Sequence, residues 1–247
     1  MSVRPEELLI GVVADLIGQV RHVAVGALSP IPAAAALLGA RRHDGMRVSI
    51  LNSRRHSFFT DGGRELFDCA GQGRIDAFFL SGGQIDGGGN VNLVAIGDYD
   101  KPKARFSGSF GSAYLYYVVP KVILFRLEHT RRTLVEQVDF ISAPGTSPPG
   151  TYRPGGPHAL VTELCIFRFD RPSGRFTLAS LHPGVTLEQV LDSTGFGFAI
   201  PETIPTTALP TDADLALMRG AVAQDLAETY PAFAADVLGW RAAESIR

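Results

Sequence analysis

The stretch "HVAVGALSPIPAAAALLGARRHDGMRVSILN", residues 22–52, decides the fold class. It opens with a β-branched run that predicts a buried strand over His22–Gly26. The loop "ALSPIP" follows, and "AAAALLGARR" then predicts a helix that ends near Gly45. "RVSILN" predicts the next strand. Another helix is expected over Pro5–Ile17, because proline is tolerated at a helix start and the acidic residues after it suit the helix dipole. Helix, strand, helix and strand in this order predict a parallel α/β sheet.

The rest of the chain continues the pattern. "RELFDCAGQGRID" is helix-like, "AFFLSGGQID", "VNLVAIGD" and "KVILFRLE" indicate strands, and "RFSGSFGSAYLYYVV" indicates a glycine-containing loop that leads to a helix or irregular turn. The alternation of strands and short helices is expected to continue through Ile141. Residues 142–158, "SAPGTSPPGTYRPGGPH", predict a long proline- and glycine-rich loop.

Two more strands, "ALVTELCIFRFD" and "RFTLASLHPG", are joined by "RPSG" and predict a hairpin. Thr186 and Gln189 have the spacing of a capping box, which predicts a short helix stopped by Gly195. A closing helix is expected with Thr211 as its N-cap. We therefore predict an α/β fold with an open, mostly parallel sheet and helices on its faces, plus a C-terminal hairpin and helices. One domain is expected to span residues 1–247, with the loop of residues 142–158 inside it.

Composition excludes several classes of protein. The 247 residues are 45% apolar and 19% charged, which is ordinary for a soluble globular protein. The net charge of −2 argues against a nucleic-acid partner. The sequence contains no run of about 18 apolar residues, so no membrane span is expected. The N-terminal segment also lacks the features of a signal peptide. Cys69 and Cys165 lie far apart without metal-binding spacing, so we expect buried free thiols, no metal site and a cytoplasmic location.

The individual motifs are weak. "DGGGN" is typical of a turn, and "GSFGS" lacks the lysine of a phosphate-binding P-loop. His182, in "SLHPG", is expected at a strand end where Pro183 turns the chain, rather than in a catalytic role. No Ser-His-Asp order is convincing.

In combination the motifs are much more specific. The segment "FFLSGGQIDGGGNVNLVAIGDYDKPKARFSGSFGS", together with "EHTRRTLVEQVDFISAPG" and "LHPGVTLEQVLDSTGF", resembles the β subunit of the class I CoA transferases, especially the glutaconate CoA-transferase type. The resemblance covers about residues 23–196. It implies an open α/β sheet of the CoA-transferase or NagB-like kind. It also implies a separate α-type subunit of similar fold, an α2β2 assembly and an active site between the subunits.

The resemblance assigns special weight to Asn52. In transferases of this family an early strand ends in a glutamate that attacks the acyl-CoA thioester, which is nucleophilic catalysis by a carboxylate. Here Asn52 occupies the place of that glutamate. A carboxamide is a poor nucleophile, but it donates and accepts hydrogen bonds. A shifted alignment that makes Glu65 the carboxylate is the alternative, although Glu65 is expected to start a helix.

A second departure lies in the glycine loop. The family carries a Gly-Gly pair whose backbone N–H groups approach the thioester oxygen, and such donors typically contribute a few kcal/mol in the transition state. Gly108 and Gly111 remain here and are assigned with Asn52 as catalytic positions, but Phe110 replaces one glycine of the pair. Its ring is expected either to reshape the acyl pocket or to pack into the core.

Further residues are assigned to binding of the substrate or CoA. The candidates are Arg54, His56, Gln84, Phe110 and Ser112. Arginine forks bind phosphate well, so the basic clusters at residues 41–43 and 54–56 are candidates for a CoA contact, while ion pairs with a partner or a solvated face are the alternative. We expect the core or a subunit interface for Tyr114, Tyr116 and Tyr117, and the alternative is that they line the acyl pocket.

Three functions remain open at this point. The first is CoA transfer between carboxylic acids. The second is hydrolysis of an acyl-CoA on the same fold, including ring-opening cleavage of a carbon–carbon bond, with the decisive carboxylate in the α subunit. The third is a non-catalytic scaffold subunit. In the two enzymatic cases coenzyme A enters as a thioester substrate, and no bound cofactor is expected.

Overall fold

The computed structural model describes residues 2–241 of the chain. They form two compact units. The first unit comprises residues 2–66 and 208–241, and the second comprises residues 67–207. The expectation of one domain over residues 1–247 stays a prediction.

The strands of the described chain are short. In chain order they are β1 (His22–Val25), β2 (Arg47–Ile50), β3 (Ala77–Leu80), β4 (Gln84–Ile85), β5 (Val91–Asn92), β6 (Ala95–Ile96), β7 (Ala104–Arg105), β8 (Lys121–Phe125), β9 (Pro157–Val161), β10 (Cys165–Asp170) and β11 (Arg175–Leu181).

The helices alternate with the early strands and return at the C-terminal end. In chain order they are α1 (Pro5–Ile17), α2 (Pro30–Arg42), α3 (Gly62–Gly71), α4 (Ser112–Val118), α5 (Leu187–Ser193), α6 (Asp212–Leu217), α7 (Ala223–Leu226) and α8 (Pro231–Asp236). A π-helical turn, Met218–Val222, joins α6 to α7.

The first unit is built on two parallel strands and two packed helices. β1 and β2 pair in parallel, with Val25 opposite Ile50. All four residues of β1 are buried, as expected for a strand covered on both faces. α1 packs on α2, whose alanine run, Ala33–Ala36, is completely buried. These small side chains let the two helices approach closely.

The predicted start of α2 was wrong. We expected residues 27–32 to form a loop, but the helix begins at Pro30 and also contains Pro32. The first backbone N–H groups of a helix have no intrahelical partner, so proline at these positions sacrifices no hydrogen bond. α1 matches its predicted bounds, Pro5–Ile17.

The second unit contains five paired strands in the order β11-β10-β9-β8-β3. β3, β8 and β9 run parallel to one another, while β10 is antiparallel to both β9 and β11. The side chains of Phe167 and Phe176 are fully buried between packed aromatic rings. The predicted mostly parallel sheet with a C-terminal hairpin is therefore confirmed.

The predicted single strand "ALVTELCIFRFD" is wrong, because it folds as β9 and β10. The chain reverses after Val161 without glycine or proline. The Thr162 hydroxyl instead accepts hydrogen bonds from the backbone N–H groups of Leu164 and Cys165, both at 3.2 Å. A side chain that bonds to nearby backbone supports a turn that the hydrophobic pattern does not reveal.

The alternation of strands and short helices expected through Ile141 stops at Phe125, the end of β8. Between the end of β8 and the start of β9 the described chain is irregular apart from isolated bridges. Arg153 anchors the proline- and glycine-rich loop by donating from Nη2 to the carbonyl of Pro144 at 2.7 Å and from Nε to that of Gly155 at 3.1 Å. The loop prediction for residues 142–158 holds up to Gly156, where β9 follows.

The two predicted helix caps are confirmed. Thr186 and Gln189 form a reciprocal capping box at the start of α5, and Thr211 and Asp214 form one at the start of α6. The π-helical turn was not predicted, since no sequence signal marked it. Across residues 2–241, no helix is both long and apolar enough to cross a membrane.

Candidate active site

The carboxyl edge of the β1–β2 pair carries two loops of the first unit. Val25 and Ile50, the last residues of these strands, lie opposite each other. The Leu51 N–H donates to the Val25 carbonyl at 3.0 Å, which extends the pairing by one residue. Asn52 is therefore the first residue beyond the paired strands, at the edge where ligands gather in open α/β sheets.

Asn52 has a left-handed backbone conformation, with φ +72°. Asparagine tolerates this region better than most residues other than glycine. A turn holds it there, since Ser53 N–H donates to the Ile50 carbonyl at 3.1 Å and Ile50 N–H donates to the His56 carbonyl at 2.6 Å. The Asn52 side chain is exposed and makes no hydrogen bond to any other residue in 2–241. Its amide is thus directed by the backbone and available to a ligand.

Glu228, which the sequence did not single out, fastens this loop. Its carboxylate accepts from the Ser53 hydroxyl at 2.8 Å and from the Arg54 backbone N–H at 2.9 Å. The Arg54 N–H and the Ser53 hydroxyl lower the pKa of Glu228 from its ordinary value. Glu228 is 175 residues from Ser53 in the chain, so no local spacing predicts the contact.

Arg54 and His56 lie on the same loop as Asn52. The Arg54 side chain is exposed. His56 Nε2 is buried, makes no hydrogen bond within residues 2–241 and lies 3.7 Å from a carboxylate oxygen of Asp225. Asp225 also forms an ion pair with Arg41. The ion-pair alternative therefore holds for Arg41, while CoA contacts of Arg54 and His56 stay predictions.

Glu65 lies in the first turn of α3. Its carboxylate accepts from the backbone N–H of Asp61 at 2.8 Å and from both the N–H and the hydroxyl of Thr60. These bonds use the carboxylate to close the loop before the helix. The contacts agree with the expectation that Glu65 starts a helix, and they give no support to a nucleophilic role.

The glycine loop lies in the second unit. Gly108 has φ +93° with open space where a Cβ would be, and Phe110 has φ +47°. The Phe110 ring is 92% exposed and touches Phe67, with ring centroids 5.5 Å apart. The alternative that Phe110 packs into the core is therefore wrong. A bulky, exposed ring held in a left-handed conformation is strained, and such strain concentrates at functional sites.

Gly111 is required by close packing. A Cβ on this residue would lie 2.1 Å from atoms of the Phe67 ring. Ser112 begins α4, and its N–H donates to the Ser109 carbonyl at 2.8 Å, which closes the loop. Gly108, Phe110, Gly111 and Ser112 are thus brought together on one loop.

Gln84 lies apart from that loop in a buried network. Its side-chain oxygen accepts from Asn92 Nδ2 at 2.7 Å and from the Asp139 N–H at 3.0 Å, while its nitrogen donates to the Asp139 carboxylate at 3.3 Å. Both ends of the amide are thereby occupied within the chain. A part for Gln84 in substrate binding stays a prediction that these contacts do not favour.

The "DGGGN" motif forms a turn, as expected. The Asp86 carboxylate accepts from the backbone N–H groups of Gly88 and Asn90 and from the Asn90 side chain, at 3.0–3.1 Å. The Tyr116 hydroxyl donates to the carbonyl of Gly89 at 2.7 Å. Tyr116 is fully buried, in line with the expected core position, whereas Tyr114 is 45% exposed.

Two buried histidines serve the packing of the second unit. His182 contacts the Thr207 hydroxyl and the Thr162 carbonyl, as expected for a residue without a catalytic role. The two ring nitrogens of His129 lie 2.8 Å from the hydroxyls of Thr162 and Thr194. Burial, with a smaller effect of His182, lowers the pKa of His129 to about 4. No group of three metal-ligating side chains occurs among the described residues.

Comparison with known proteins establishes the class. The family model for coenzyme A transferase matches residues 31–193, which is more than half of the chain. The chain belongs to the coenzyme A transferase family.

Three relatives illustrate the range of that family. The chain is 39% identical over 161 residues to the B subunit of 3-oxoadipate CoA-transferase from Pseudomonas knackmussii, covering 63% of this chain and 62% of the relative. It is 35% identical to the B subunit of glutaconate CoA-transferase from Acidaminococcus fermentans, over 57% of this chain and 54% of the relative. It is 34% identical to the cholesterol ring-cleaving hydrolase IpdB subunit of Rhodococcus jostii, over 63% of this chain and 62% of the relative. The chain thus spans less than two thirds of the length of these curated relatives.

Solved structures agree with the fold over a larger part of the chain. Glutaconate coenzyme A-transferase from Acidaminococcus fermentans superimposes with a TM-score of 0.76 and 25% identity, covering 89% of this chain and 94% of that chain. Rhodococcus jostii IpdAB gives a TM-score of 0.75 and 26% identity, with the same coverage. The fold expected from the resemblance is confirmed.

Proposed function

We propose that this chain is the B-type subunit of an enzyme that acts on acyl-CoA thioesters together with an A-type partner subunit. The support is membership of the coenzyme A transferase family and similarity to relatives that are themselves called B subunits. An α2β2 assembly and a cytoplasmic location are part of the proposal. Coenzyme A enters as the thioester substrate, and no resident cofactor is proposed.

The observation that carries the reaction type is Asn52. The sequence resemblance assigns Asn52 to the place of the nucleophilic glutamate of the family's transferases. Asn52 lies just after β2, with its side chain exposed and without a hydrogen bond within the described chain. An amide donates a hydrogen bond to a thioester carbonyl or orients water, but it does not form an acyl anhydride. We therefore propose hydrolysis, in which the oxygen of water adds to the acyl carbon, the carbon–sulfur bond breaks and coenzyme A leaves as its thiol. A carboxylate of the partner subunit accepts the proton of that water.

CoA transfer between carboxylic acids is the second candidate. The 39% identity to the B subunit of a 3-oxoadipate CoA-transferase favours it. In that reaction the carboxylate nucleophile has to come from a residue other than Asn52. A non-catalytic scaffold subunit is the remaining possibility.

The test combines the purified chain with its A-type partner and a panel of CoA thioesters in ¹⁸O-labelled water, with and without an acceptor carboxylic acid. Hydrolysis places ¹⁸O in the released acid and liberates one thiol for each turnover. Transfer instead produces the CoA thioester of the acceptor without thiol release. An acyl or CoA adduct that maps by mass spectrometry to the peptide containing Asn52 would contradict the proposal, and one on Glu65 would identify the nucleophile.

The assembly has its own test. The chain alone is expected to turn over no acyl-CoA until the partner is added, and the activity of the mixture is expected to fall on dilution below the dissociation constant of the subunits. Steady turnover by a preparation free of partner would contradict the two-subunit proposal. Turnover by the mixture that is unaffected by every substitution at Asn52 would favour the scaffold role.

A further inference from the structure

A small polar cleft lies beside the proline- and glycine-rich loop of the second unit. It has a volume of about 160 Å³, and Thr146, Ser147, Thr151, Arg153 and Arg171 contribute to its lining. Pockets for drug-sized ligands occupy about 300–1,000 Å³, so this cleft has room for a small group rather than for a whole cofactor. Hydroxyl groups and guanidinium groups face the same space. We call it the loop cleft.

The guanidinium groups of the loop cleft bond to neutral partners. Arg153 donates to the carbonyls of Pro144 and Gly155, and Arg171 donates to the carbonyls of Pro154 and Pro120. Within residues 2–241, no carboxylate oxygen lies within 4.0 Å of either guanidinium. Arg171 has five N–H donors and uses two of them here, so three remain. The carbonyls position the two side chains without neutralising them.

Further basic side chains lie near Arg171, one of the two arginines that line the cleft. Burial, and then the positive charges of Arg168, Lys121 and Arg171, lower the pKa of His158 to about 4. Burial and the nearby Arg171 also lower the pKa of Arg153. Arg153 is partly buried, whereas Arg171 is exposed. Moving the Arg153 guanidinium out of water without a counterion is unfavourable, and structures usually offset it with an opposite charge. The described part of the chain supplies no such charge to Arg153 or Arg171.

We propose that the loop cleft binds a phosphate group. Phosphate matches the planar donor fork of arginine and accepts from hydroxyl groups, and its dianion offsets two guanidinium charges. The group comes either from inorganic phosphate or from the phosphates of a nucleotide such as coenzyme A. The lining of the loop cleft includes neither Asn52 nor a residue of the glycine loop, and the proposal does not depend on the reaction proposed above.

A charge substitution at an exposed threonine tests the site without breaking its anchors. Thr146 is exposed and lines the cleft. Thr146→Asp therefore places a carboxylate beside the guanidinium groups, and its negative charge offsets their positive charge. Thr203 is an exposed threonine of the same unit outside the cleft, so Thr203→Asp is the matched control with the same change in net charge. Substitution of Arg153 is avoided, because it would also release the loop.

Calorimetric titration and thermal denaturation at constant ionic strength provide the readout. The probes are sodium phosphate, coenzyme A and dephospho-coenzyme A, with sodium chloride as the salt control. Wild type and Thr203→Asp are expected to bind a phosphate probe and to gain thermal stability from it. Thr146→Asp is expected to bind that probe at least tenfold more weakly. It is also expected to unfold at a higher temperature than Thr203→Asp in phosphate-free buffer, because it supplies the missing negative charge.

The probes distinguish the two sources of phosphate. Binding of inorganic phosphate that is lost in Thr146→Asp identifies a site for the free anion. Binding of coenzyme A but not of dephospho-coenzyme A identifies the 3′-phosphate as the group, and equal binding of both identifies the diphosphate. Absence of binding by all three probes overturns the proposal. Equal binding by Thr146→Asp and Thr203→Asp overturns it as well.

Discussion

Asn52 has an exposed side-chain amide and a left-handed backbone conformation, so a substitution at this residue affects both. Its φ of +72° means that alanine at this position loses the amide and also adds backbone strain. Glycine removes the amide without that strain, because it populates positive φ readily. The pair Asn52→Gly and Asn52→Ala therefore separates chemistry from conformation.

We expect Asn52→Gly to slow turnover of acyl-CoA by roughly ten- to a few hundredfold, the effect of losing one hydrogen bond of about 1.5–3 kcal/mol. Asn52→Ala is expected to lose the same activity and, in addition, about 1 kcal/mol of stability relative to Asn52→Gly. Steady-state kinetics and urea denaturation of the three proteins measure both effects. Unchanged kinetics in Asn52→Gly would exclude the amide from the reaction.

Phe110 is the second residue whose role depends on its conformation. Phe110→Gly removes an exposed ring and relieves a φ of +47°, so we expect no loss of stability. If the ring shapes the acyl pocket, KM for different acyl chains changes while the melting temperature does not fall. A comparison of kcat/KM over a series of acyl chain lengths measures this. Identical chain-length profiles for wild type and Phe110→Gly would contradict a part in selectivity.

Gly111 is a poor place to test the same loop. From sequence alone, Gly111→Val is expected to abolish activity and leave the fold intact. The structure contradicts the second half of that expectation, because the new Cβ would lie 2.1 Å from the Phe67 ring. Any loss of activity would then include repacking of Phe67. Gly108, which has open space at its Cβ position, carries only the backbone strain of φ +93° and is the cleaner site.

At the scale of elements, α1 is tied to the π-helical turn by a buried charge. Glu7 is fully buried, and its carboxylate oxygens accept from Nε and Nη2 of Arg219 at 2.6 and 2.8 Å. Burial opposes ionisation of Glu7, but the hydrogen bonds from Arg219 and from the Arg4 N–H outweigh it and lower its pKa. The same carboxylate caps the helix, since the Arg4 N–H donates to it at 2.9 Å.

We expect Glu7→Gln to lower the free energy of unfolding by about 2–4 kcal/mol, because it removes the buried carboxylate that binds Arg219 and weakens the cap. Glu6→Gln is the matched control. Glu6 lies in the same first helical turn but is not among the buried residues of α1. Denaturant titrations at pH 7 measure the difference. Equal free energies of unfolding for Glu7→Gln and Glu6→Gln would show that the Glu7–Arg219 contact does not stabilise the fold.

At the scale of the whole molecule, stability is expected to depend on pH through buried His129. Its pKa is about 4 in the folded chain and 6.5 as the ordinary value. Between these values the unfolded chain binds a proton that the folded chain does not. The contribution of neutral His129 to the free energy of unfolding is therefore complete above pH 6.5. It is lost as the pH falls from 6.5 towards 4. A shift of this size corresponds to at most ~3 kcal/mol.

The measurement is the free energy of unfolding between pH 7.5 and pH 5 for wild type and His129→Gln. The variant is expected to be less stable at pH 7.5, because two threonine hydroxyls lose their ring partner, but to lose less stability on acidification. His43→Gln serves as the control for replacing a histidine elsewhere. Parallel pH profiles for wild type and His129→Gln would refute the assignment to His129.

The sequence by itself determined the order of the early elements, the parallel α/β class, the caps at Thr186 and Thr211, and the family. These follow from hydrophobic periodicity, from cap residues a few positions apart and from short motifs, all of which are local properties of the chain. The same information placed Asn52 at the end of a strand, since the strand pattern stops there.

Only the tertiary structure decided the conformation of the Asn52 loop, the exposure of Phe110 and the turn between β9 and β10. Glu228 reaches the loop from 175 residues away, and Gly111 is required by the ring of Phe67. The loop cleft likewise depends on arginines that bond to distant carbonyls. These features depend on which segments meet when the chain folds, and hydrophobic patterns carry no information about a contact made by one polar side chain across such a distance.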